Sequence, residues 1–177
     1  VNVAAVNDAP TSTDDAVTIN EDTTTVLGLA DFGAYADIEG TTIASVRITA
    51  LATDGGLEYF DGATWVAVTL NQVITAADIG AGNVRFAPDA NESGAPYATI
   101  GFQVSDGAAF SAASYTLTVN VAAVNDAPTS TDDAVTINED TTTVLGLADF
   151  GAYADIEGTT IASVRITALA TDGGLEY

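Results

Sequence analysis

Ser-Tyr-Thr-Leu-Thr-Val-Asn-Val, at residues 114–121, alternates polar with apolar side chains. A period of two puts Tyr115 and Leu117 on one face of a β-strand, together with the two valines that follow. The strand is expected to end at Asn-Asp-Ala-Pro, residues 125–128, because proline has no amide hydrogen to donate and restricts the residue before it. The sequence therefore predicts a long last strand that runs directly into an acidic joint.

The same joint occurs near the start of the chain, because residues 1–59 recur without change as residues 119–177. The offset of 118 residues is the size of a whole small domain and is too long for one solenoid turn. We predict pieces of a tandem array. Residues 1–10 are the tail of a preceding repeat, 11–124 a complete domain, 125–128 an interdomain joint, and 129–177 the first half of the next identical repeat.

Short strand-like segments, separated by turns rich in glycine, aspartate and asparagine, indicate an all-β fold. Asp61-Gly62 predicts a hairpin, and residues 72–79 accommodate one helical turn. We predict an antiparallel β-sandwich of about seven or eight strands, with Trp65, Phe86 and Phe102 and also Tyr115 in its core. The predicted strands are 16–19, 23–29, 43–51, 57–60, 64–68, 84–87, 99–104 and 114–121.

Composition excludes several classes of function. The chain carries 25 acidic residues against three arginines and no lysine, a formal net charge of −22. Nucleic acid is excluded as a partner, since no basic patch can form, and direct contact with an anionic membrane is disfavoured. A serine or threonine nucleophile would lack a histidine or lysine base, and there is no cysteine. We therefore predict no enzymatic activity, with a glycosidase-like carboxylate pair as the remote alternative.

Five short motifs follow one another within one period: Val-Asn-Asp-Ala-Pro at 6–10, Ile-Asn-Glu-Asp-Thr at 19–23, Ala-Asp-Ile-Glu-Gly at 36–40, Val-Arg-Phe-Ala-Pro-Asp-Ala-Asn at 84–91 and Phe-Gln-Val-Ser-Asp-Gly at 102–107. This order resembles the bacterial cadherin-like (Ig-like) repeats that form the extender regions of large RTX-type adhesins. The resemblance implies a Greek-key sandwich, export to the surface of a Gram-negative bacterium, and Ca²⁺ at the joints between domains. One position departs from the family, which commonly has Asp-x-Asp-Gly where this chain has Asp-Ile-Glu-Gly.

Calcium takes six to eight oxygen ligands from carboxylates, carbonyls and water. By resemblance to cadherin joints, we assign one ligand set to each end of the complete domain, with Asp54 and Asp61 left as ordinary turn residues. The upstream set is Asn7, Asp8, Asp37, Glu39 and Asp106. The downstream set is Glu21, Asn125, Asp126, Asp155 and Glu157, with Asp22 and Asp78 as weaker members.

The predicted function is that of a spacer repeat in a surface adhesin, stiffened by Ca²⁺ at its joints and serving cell adhesion and biofilm formation. Its expected partners are the neighbouring identical repeats of the same chain. The chain is expected to be monomeric apart from end-to-end or swapped contacts of the incomplete half. The alternative is a module that itself binds a ligand (a glycan, a protein or ice).

Overall fold

The computed structural model describes residues 1–4, 6–168, 171 and 174–176. The chain divides into two compact units, Val1–Val124 and Asn125–Tyr177. The first unit is built from β-strands. The second repeats part of the same sequence, yet none of its described residues lies in a strand.

Nine strands and two short helices make up the first unit, within its described residues. The strands are β1 Asp15–Asn20, β2 Thr25–Val26, β3 Ser45–Ala50, β4 Gly56–Phe60, β5 Trp65–Ala67, β6 Val73–Thr75, β7 Val84–Ala87, β8 Gly94–Ser105 and β9 Tyr115–Ala122. A 3-10 helix spans Leu29–Phe32, and the helix α1 spans Ala76–Gly80.

The strands form two sheets, one in the order β1-β9-β8-β3-β6 and one in the order β2-β7-β4-β5. Strands that are neighbours in the chain repeatedly belong to different sheets, so the chain crosses from one layer to the other, as in a Greek-key sandwich. The predicted all-β sandwich is confirmed.

One strand pair departs from the predicted antiparallel arrangement. β1 runs parallel to β9, with Asp15 opposite Leu117 and Asn20 opposite Ala122. Parallel neighbours need a long crossover connection, and here all of the intervening chain provides it. The consequence is that the chain enters the first unit at one end of this strand pair and leaves it at the other.

The core lies between the two sheets and is built from alternate strand residues. In β9, the predicted face is confirmed, with Leu117 and Val119 fully buried and Val121 3% exposed. In β8, the ring of Phe102 is fully buried and lies 5.4 Å from the ring of Phe32 and 5.8 Å from that of Tyr115, centroid to centroid. Burying each large apolar side chain contributes roughly 1.5–3 kcal/mol before the cost of chain ordering.

Most strand predictions are confirmed in position. β7 coincides with the predicted segment 84–87, and β4 and β5 form the predicted hairpin around Asp61-Gly62. The predicted helical turn is α1. The largest differences in length are in β2, which is limited to two residues of 23–29, and in β8, which begins at Gly94, five residues before the predicted start at residue 99. β6, at Val73–Thr75, was not predicted as a strand. Asp22, immediately before the predicted segment 23–29, has a positive φ of 56° and lies in a turn, and the strand begins only at Thr25.

Trp65 was predicted to lie in the core, and this is wrong. It is half-buried on the outer face of the four-stranded sheet, where Arg85 places its guanidinium carbon 4.1 Å from the centre of a Trp65 ring. Arg85 also forms an ion pair of 2.6 Å with Glu58, its cross-strand neighbour. Alternation puts Glu58 and Arg85 outside because their neighbours in sequence point inward, and Trp65 packs on that same outer surface.

The second unit repeats the sequence of the first half of the domain without repeating its strand pairing. Its described residues contain a 3-10 helix at Leu147–Phe150 and an isolated bridge between Thr129 and Ala154. The boundary between the units falls at Val124–Asn125, where the predicted domain ends. That residues 1–10 belong to a preceding repeat stays a prediction.

Candidate metal centre

The N-terminal segment of the first unit is held against the acidic loop at residues 36–40. Thr11 and Ala36 exchange two backbone hydrogen bonds, of 2.8 and 2.9 Å. Three residues earlier, the amide of Asp8 donates to a carboxylate oxygen of Glu39 over 3.3 Å. Two residues that are distant in sequence and belong to the predicted upstream set therefore lie side by side.

Asp37 occupies a tight turn in the same loop. One of its carboxylate oxygens, Oδ1, accepts from the amide of Thr41 at 3.1 Å, and its carbonyl accepts from the amide of Gly40 at 3.2 Å. Gly40 has a φ of +73°, a conformation that favours glycine. The other carboxylate oxygen, Oδ2, is shielded from solvent and accepts no hydrogen bond within the described residues. A shielded carboxylate oxygen without a donor is an unsatisfied polar group, which a cation can satisfy.

Asp106 follows β8 and joins the N-terminal segment to the same end of the sandwich. Its Oδ1 accepts from the amides of Ala108 and Ala109, both at 2.7 Å, and its Oδ2 accepts from the side-chain amide of Asn7 at 2.8 Å. The hydrogen bond from the Ala109 amide, followed by that from Asn7, lowers the pKa of Asp106. The structure thus brings Asn7 to Asp106 and Asp8 to Glu39, at the end of the unit where β8 finishes.

The residues at this end match calcium in the type of donor they offer, although no three of their carboxylates place oxygens within 4.8 Å of one another in the described structure. All five predicted members offer hard oxygen donors, and the shielded Oδ2 of Asp37 has no protein donor within the part of the chain described. Glu39, which replaces the aspartate common in the cadherin-like family, still presents its carboxylate to the N-terminal segment. Four other carboxylate oxygens of this set already accept protein hydrogen bonds (one each of Asp37 and Glu39, and both of Asp106), so a bound ion would share them.

The second unit reproduces this arrangement at the equivalent residues. The amide of Asp126 donates to Glu157 at 3.2 Å, and the amide of Thr159 donates to Asp155 at 3.0 Å. A carboxylate oxygen of Asp126 and one of Glu157 lie within 4.8 Å of each other. The Thr159 amide is the main cause that lowers the pKa of Asp155. Asn125 donates to the carbonyl of Asp126 at 2.8 Å, so all four residues occupy one loop cluster.

Glu21 lies at the opposite end of the first unit, beside the exit of β9. It is 3% exposed, and its Oε1 accepts from the amide of Val124 at 2.7 Å. The neighbouring Asp22 accepts from the amide of Asn91 at 2.9 Å and so joins two turns. Within the first unit, the predicted acidic residues therefore occur at both ends of the sandwich.

The structure does not bring Asp78 to Glu21, with which it was grouped. Asp78 belongs to α1, which comes just before the start of β7. Because β7 pairs antiparallel with β2, the start of β7 lies beside the end of β2, whereas Glu21 lies before the start of β2. α1 is therefore at the end of this strand pair that is remote from Glu21. Its carboxylate instead accepts from the hydroxyl of Thr75 at 2.6 Å, which is the main cause that lowers the pKa of Asp78. Asp78 thus serves the N-terminal turn of the helix.

A further acidic group was missed by the sequence reasoning. Asp54, Asp89 and Glu92 each place a carboxylate oxygen within 4.8 Å of the others, and all three residues are exposed. The hydroxyl of Tyr97 donates to Glu92 at 3.2 Å, and burial of the tyrosine is the main cause that raises the pKa of Tyr97. Asp89 and Glu92 come from one loop, and Asp54 comes from another loop more than thirty residues earlier in the sequence. No local motif signals such a grouping, and exposed acidic groups of this kind are ordinary features of a solvated surface.

Comparison with known proteins identifies the family. A family model described as a bacterial Ig domain matches residues 7–121. The chain belongs to the bacterial Ig domain family. The match covers nearly all of the first unit, from Asn7 at the upstream acidic cluster to Val121 near the end of β9. The match confirms the Ig-like part of the resemblance drawn from the motifs. Domains of this family are typically non-enzymatic modules of extracellular or surface-associated proteins.

The other comparisons add no relative. Neither a curated protein nor a solved structure shows significant similarity to the chain. Among the described residues, none of the helices has the length and apolar character that crossing a membrane requires.

Proposed function

We propose that this bacterial Ig domain is a non-enzymatic spacer repeat of a large RTX-type surface adhesin of a Gram-negative bacterium, stiffened by Ca²⁺ at its ends. The spacer projects a distal binding region away from the cell. Tandem identity favours this role, because a spacer gains length with every copy, whereas one copy of a ligand-binding tip suffices.

The observation that carries the proposal is the acidic loop cluster at the start of each unit. The Asp8–Glu39 contact recurs as Asp126–Glu157, and the Asp37 turn recurs as the Asp155 turn. One carboxylate oxygen of Asp37 is shielded without a hydrogen-bond donor in the described residues. A recurring acidic geometry, with an unsatisfied carboxylate oxygen in the first unit, supports a bound cation better than it supports ordinary solvated turns.

Electrostatics explains what the ion would do. Two carboxylates about 4 Å apart repel by roughly 1 kcal/mol in water and by more at a lower effective dielectric constant. The chain has a net charge of −22, so its own basic residues cannot neutralise such clusters. Bound Ca²⁺ would supply the missing positive charge and fix the loops that carry its ligands. Asn7, Asp8, Asp37, Glu39 and Asp106 would hold it in the first unit, and Asn125, Asp126, Asp155 and Glu157 are the corresponding residues of the second.

The affinity expected of such a site suits an exported protein. Extracellular calcium modules bind with dissociation constants of about 10⁻⁴–10⁻³ M. These sites would be empty at cytosolic calcium concentrations and filled outside the cell. The array would therefore be flexible before export and rigid after it.

A glycan-binding role receives less support from the aromatic residues. A stacking platform needs exposed aromatic faces, yet Phe86 and Phe102 are fully buried. Trp65 is half-buried, and the guanidinium of Arg85 lies over its ring. This arrangement leaves the spacer as the better-supported function.

Calorimetric titration of the whole chain with CaCl₂ tests the proposal. The wild type is expected to bind with a dissociation constant of about 10⁻⁴–10⁻³ M. Asp37→Asn is expected to weaken that binding, whereas the matched control Asp61→Asn, in a turn whose carboxylate caps Ala63 and Thr64, is expected to leave it unchanged. Equal heats for both variants, or no calcium heat at all, would refute the calcium role.

Scattering tests the spacer role separately. Small-angle X-ray scattering of a chain that contains two complete repeats is expected to give a larger maximum dimension with Ca²⁺ than with chelator. An unchanged dimension, in a sample for which calorimetry shows bound calcium, would count against stiffening while leaving the metal site intact.

A further inference from the structure

The strands β1 and β9 separate at the end of the first unit where the chain leaves it. Their pairing runs as far as Asn20 opposite Ala122, and one backbone hydrogen bond extends it, from the amide of Glu21 to the carbonyl of Ala122 at 3.0 Å. The chain then turns at Asp22, which has a positive φ of 56°. The backbone that follows β1 therefore turns away from residues 123 and 124.

The side chain of Glu21 continues the pairing where the backbone turns away. Its Oε1 accepts from the amide of Val124 at 2.7 Å, beyond the last residue of β9, Ala122. A hydrogen bond from an amide to a carboxylate is stronger than one to a neutral acceptor. The carboxylate thus supplies the acceptor that the main chain after β1 no longer offers.

The turn that carries Glu21 is anchored on both sides. Ile19, two residues earlier, is 5% exposed and belongs to the core. Asp22, the next residue, accepts from the amide of Asn91 at 2.9 Å, which ties the turn to the loop between β7 and β8. Glu21 itself is 3% exposed, and a carboxylate buried to this extent is costly unless it accepts hydrogen bonds. The carboxylate is therefore held on a rigid support, as a positioning side chain must be.

The residue that Glu21 holds lies at the surface. Val124 is 43% exposed and follows the end of β9 by two residues. Within the described part of the chain, its amide donates to the Glu21 carboxylate and to no backbone carbonyl. Because neither burial nor strand pairing orders Val124, this one hydrogen bond has a large share in fixing its position.

We propose that Glu21 is a positioning residue that clamps residues 122–124, the exit segment, to the end of β1 and so fixes the path by which the chain leaves the first unit. The clamp needs the length of a glutamate and an acceptor oxygen, and it needs no metal ion. Glu21, which the sequence analysis placed in the downstream calcium set, thereby has a role that is independent of calcium. For a spacer, the ordered part of the unit then extends beyond β9 as far as Val124.

Amide hydrogen exchange of the whole nitrogen-15-labelled chain, followed by NMR in the presence of chelator, tests the clamp residue by residue. Two variants separate reach from charge. Glu21→Gln keeps the side-chain length and an acceptor oxygen but removes the charge, whereas Glu21→Asp keeps the charge and shortens the side chain by one methylene. Glu139→Ala is the matched control, because Glu139 is the same residue one period later and is exposed.

The Val124 amide is expected to exchange slowly in the wild type, and Glu21→Gln is expected to keep most of that protection. In Glu21→Asp, exchange at Val124 should be faster by on the order of 10- to 100-fold, as expected for loss of one hydrogen bond to a charged acceptor. Val119, in the middle of β9, is expected to stay equally slow throughout, and Glu139→Ala is expected to match the wild type.

Three results would overturn the clamp. The Val124 amide could be unprotected in the wild type, which would show that the bond does not form. Glu21→Gln could lose as much protection as Glu21→Asp, which would assign the effect to charge. Val119 could lose protection together with Val124 in Glu21→Asp, which would show a general loss of stability. Calcium titration of the same variants is read separately, so failure of the clamp leaves the proposed metal site untouched.

Discussion

Phe102 is a core residue whose loss should strongly destabilise the first unit. Its ring is fully buried in β8, where it contacts both Phe32 and Tyr115. Phe102→Ala should therefore leave a cavity in the core between Phe32 and Tyr115.

The expected loss follows from the size of the cavity. Truncation of a buried phenylalanine to alanine typically costs about 3–5 kcal/mol. For a unit of this size, each kcal/mol lowers the melting temperature by about 4 °C, so the expected decrease is roughly 12–20 °C. With a typical urea m-value of about 1.5–2 kcal/mol per molar, the denaturation midpoint should fall by roughly 2 M.

Urea denaturation followed by circular dichroism measures this loss, and emission from the single tryptophan, Trp65, gives a second probe in the other sheet. Val66→Ala is the matched control, because Val66 lies in the edge strand β5 and is 39% exposed, and its expected cost is below about 0.5 kcal/mol. Equal midpoints for Phe102→Ala and Val66→Ala would show that the core is not where the structure places it.

Three further outcomes are expected. The pKa of Asp106 is lowered in the folded chain, so its ionised form stabilises the fold above the unfolded pKa, and this contribution is lost as the pH falls through the folded pKa. The stability difference between wild type and Asp106→Asn, measured in urea, should therefore be constant from about pH 5 to 7 and shrink below about pH 4; a difference that grows at low pH would contradict the assignment. Arg85→Lys should remove the guanidinium from the Trp65 ring, shift the tryptophan emission and cost at most about 1 kcal/mol, since the Glu58 ion pair is partly solvated. Unchanged emission would show that the contact does not form. Thr75→Ala should remove the cap of α1 and cost about 1 kcal/mol in urea denaturation, whereas Thr75→Ser, which keeps the hydroxyl, should retain most of it.

The sequence predicted those elements whose local pattern is not overridden by distant contacts. Strict alternation located β3 and β9, and Asp61-Gly62 located the hairpin, because a period of two and a turn residue are local properties. The parallel pairing of β1 with β9 could not be read in the same way, since it depends on how the whole intervening chain folds. Trp65 was misplaced because aromatic character does not reveal which face of a strand is covered by an arginine.

The residues of the candidate site also differ in how far a local pattern predicts their position. Asp8, Asp37 and Glu39 were found together because the short motifs that contain them occur in a recognisable order, and the Thr11–Ala36 bridge then brings them close. Asp78 was assigned to the wrong end because its position depends on the direction of β7 relative to β2. The second unit shows the limit most directly, since an identical sequence forms strands in one place and none among its described residues in the other.

The parallel β1–β9 pair determines how the first unit responds to tension. The chain enters beside Leu117 and leaves beyond Ala122, so pulling on the two ends slides these strands along each other. The inter-strand hydrogen bonds along the six residues of β1 then carry the load together, so they must break together. In a hairpin pulled from its open end, the inter-strand hydrogen bonds would instead break one after another. Forced unfolding is governed by the unfolding rate, so a strand pair loaded along its length is expected to make the first unit resist pulling on its two ends.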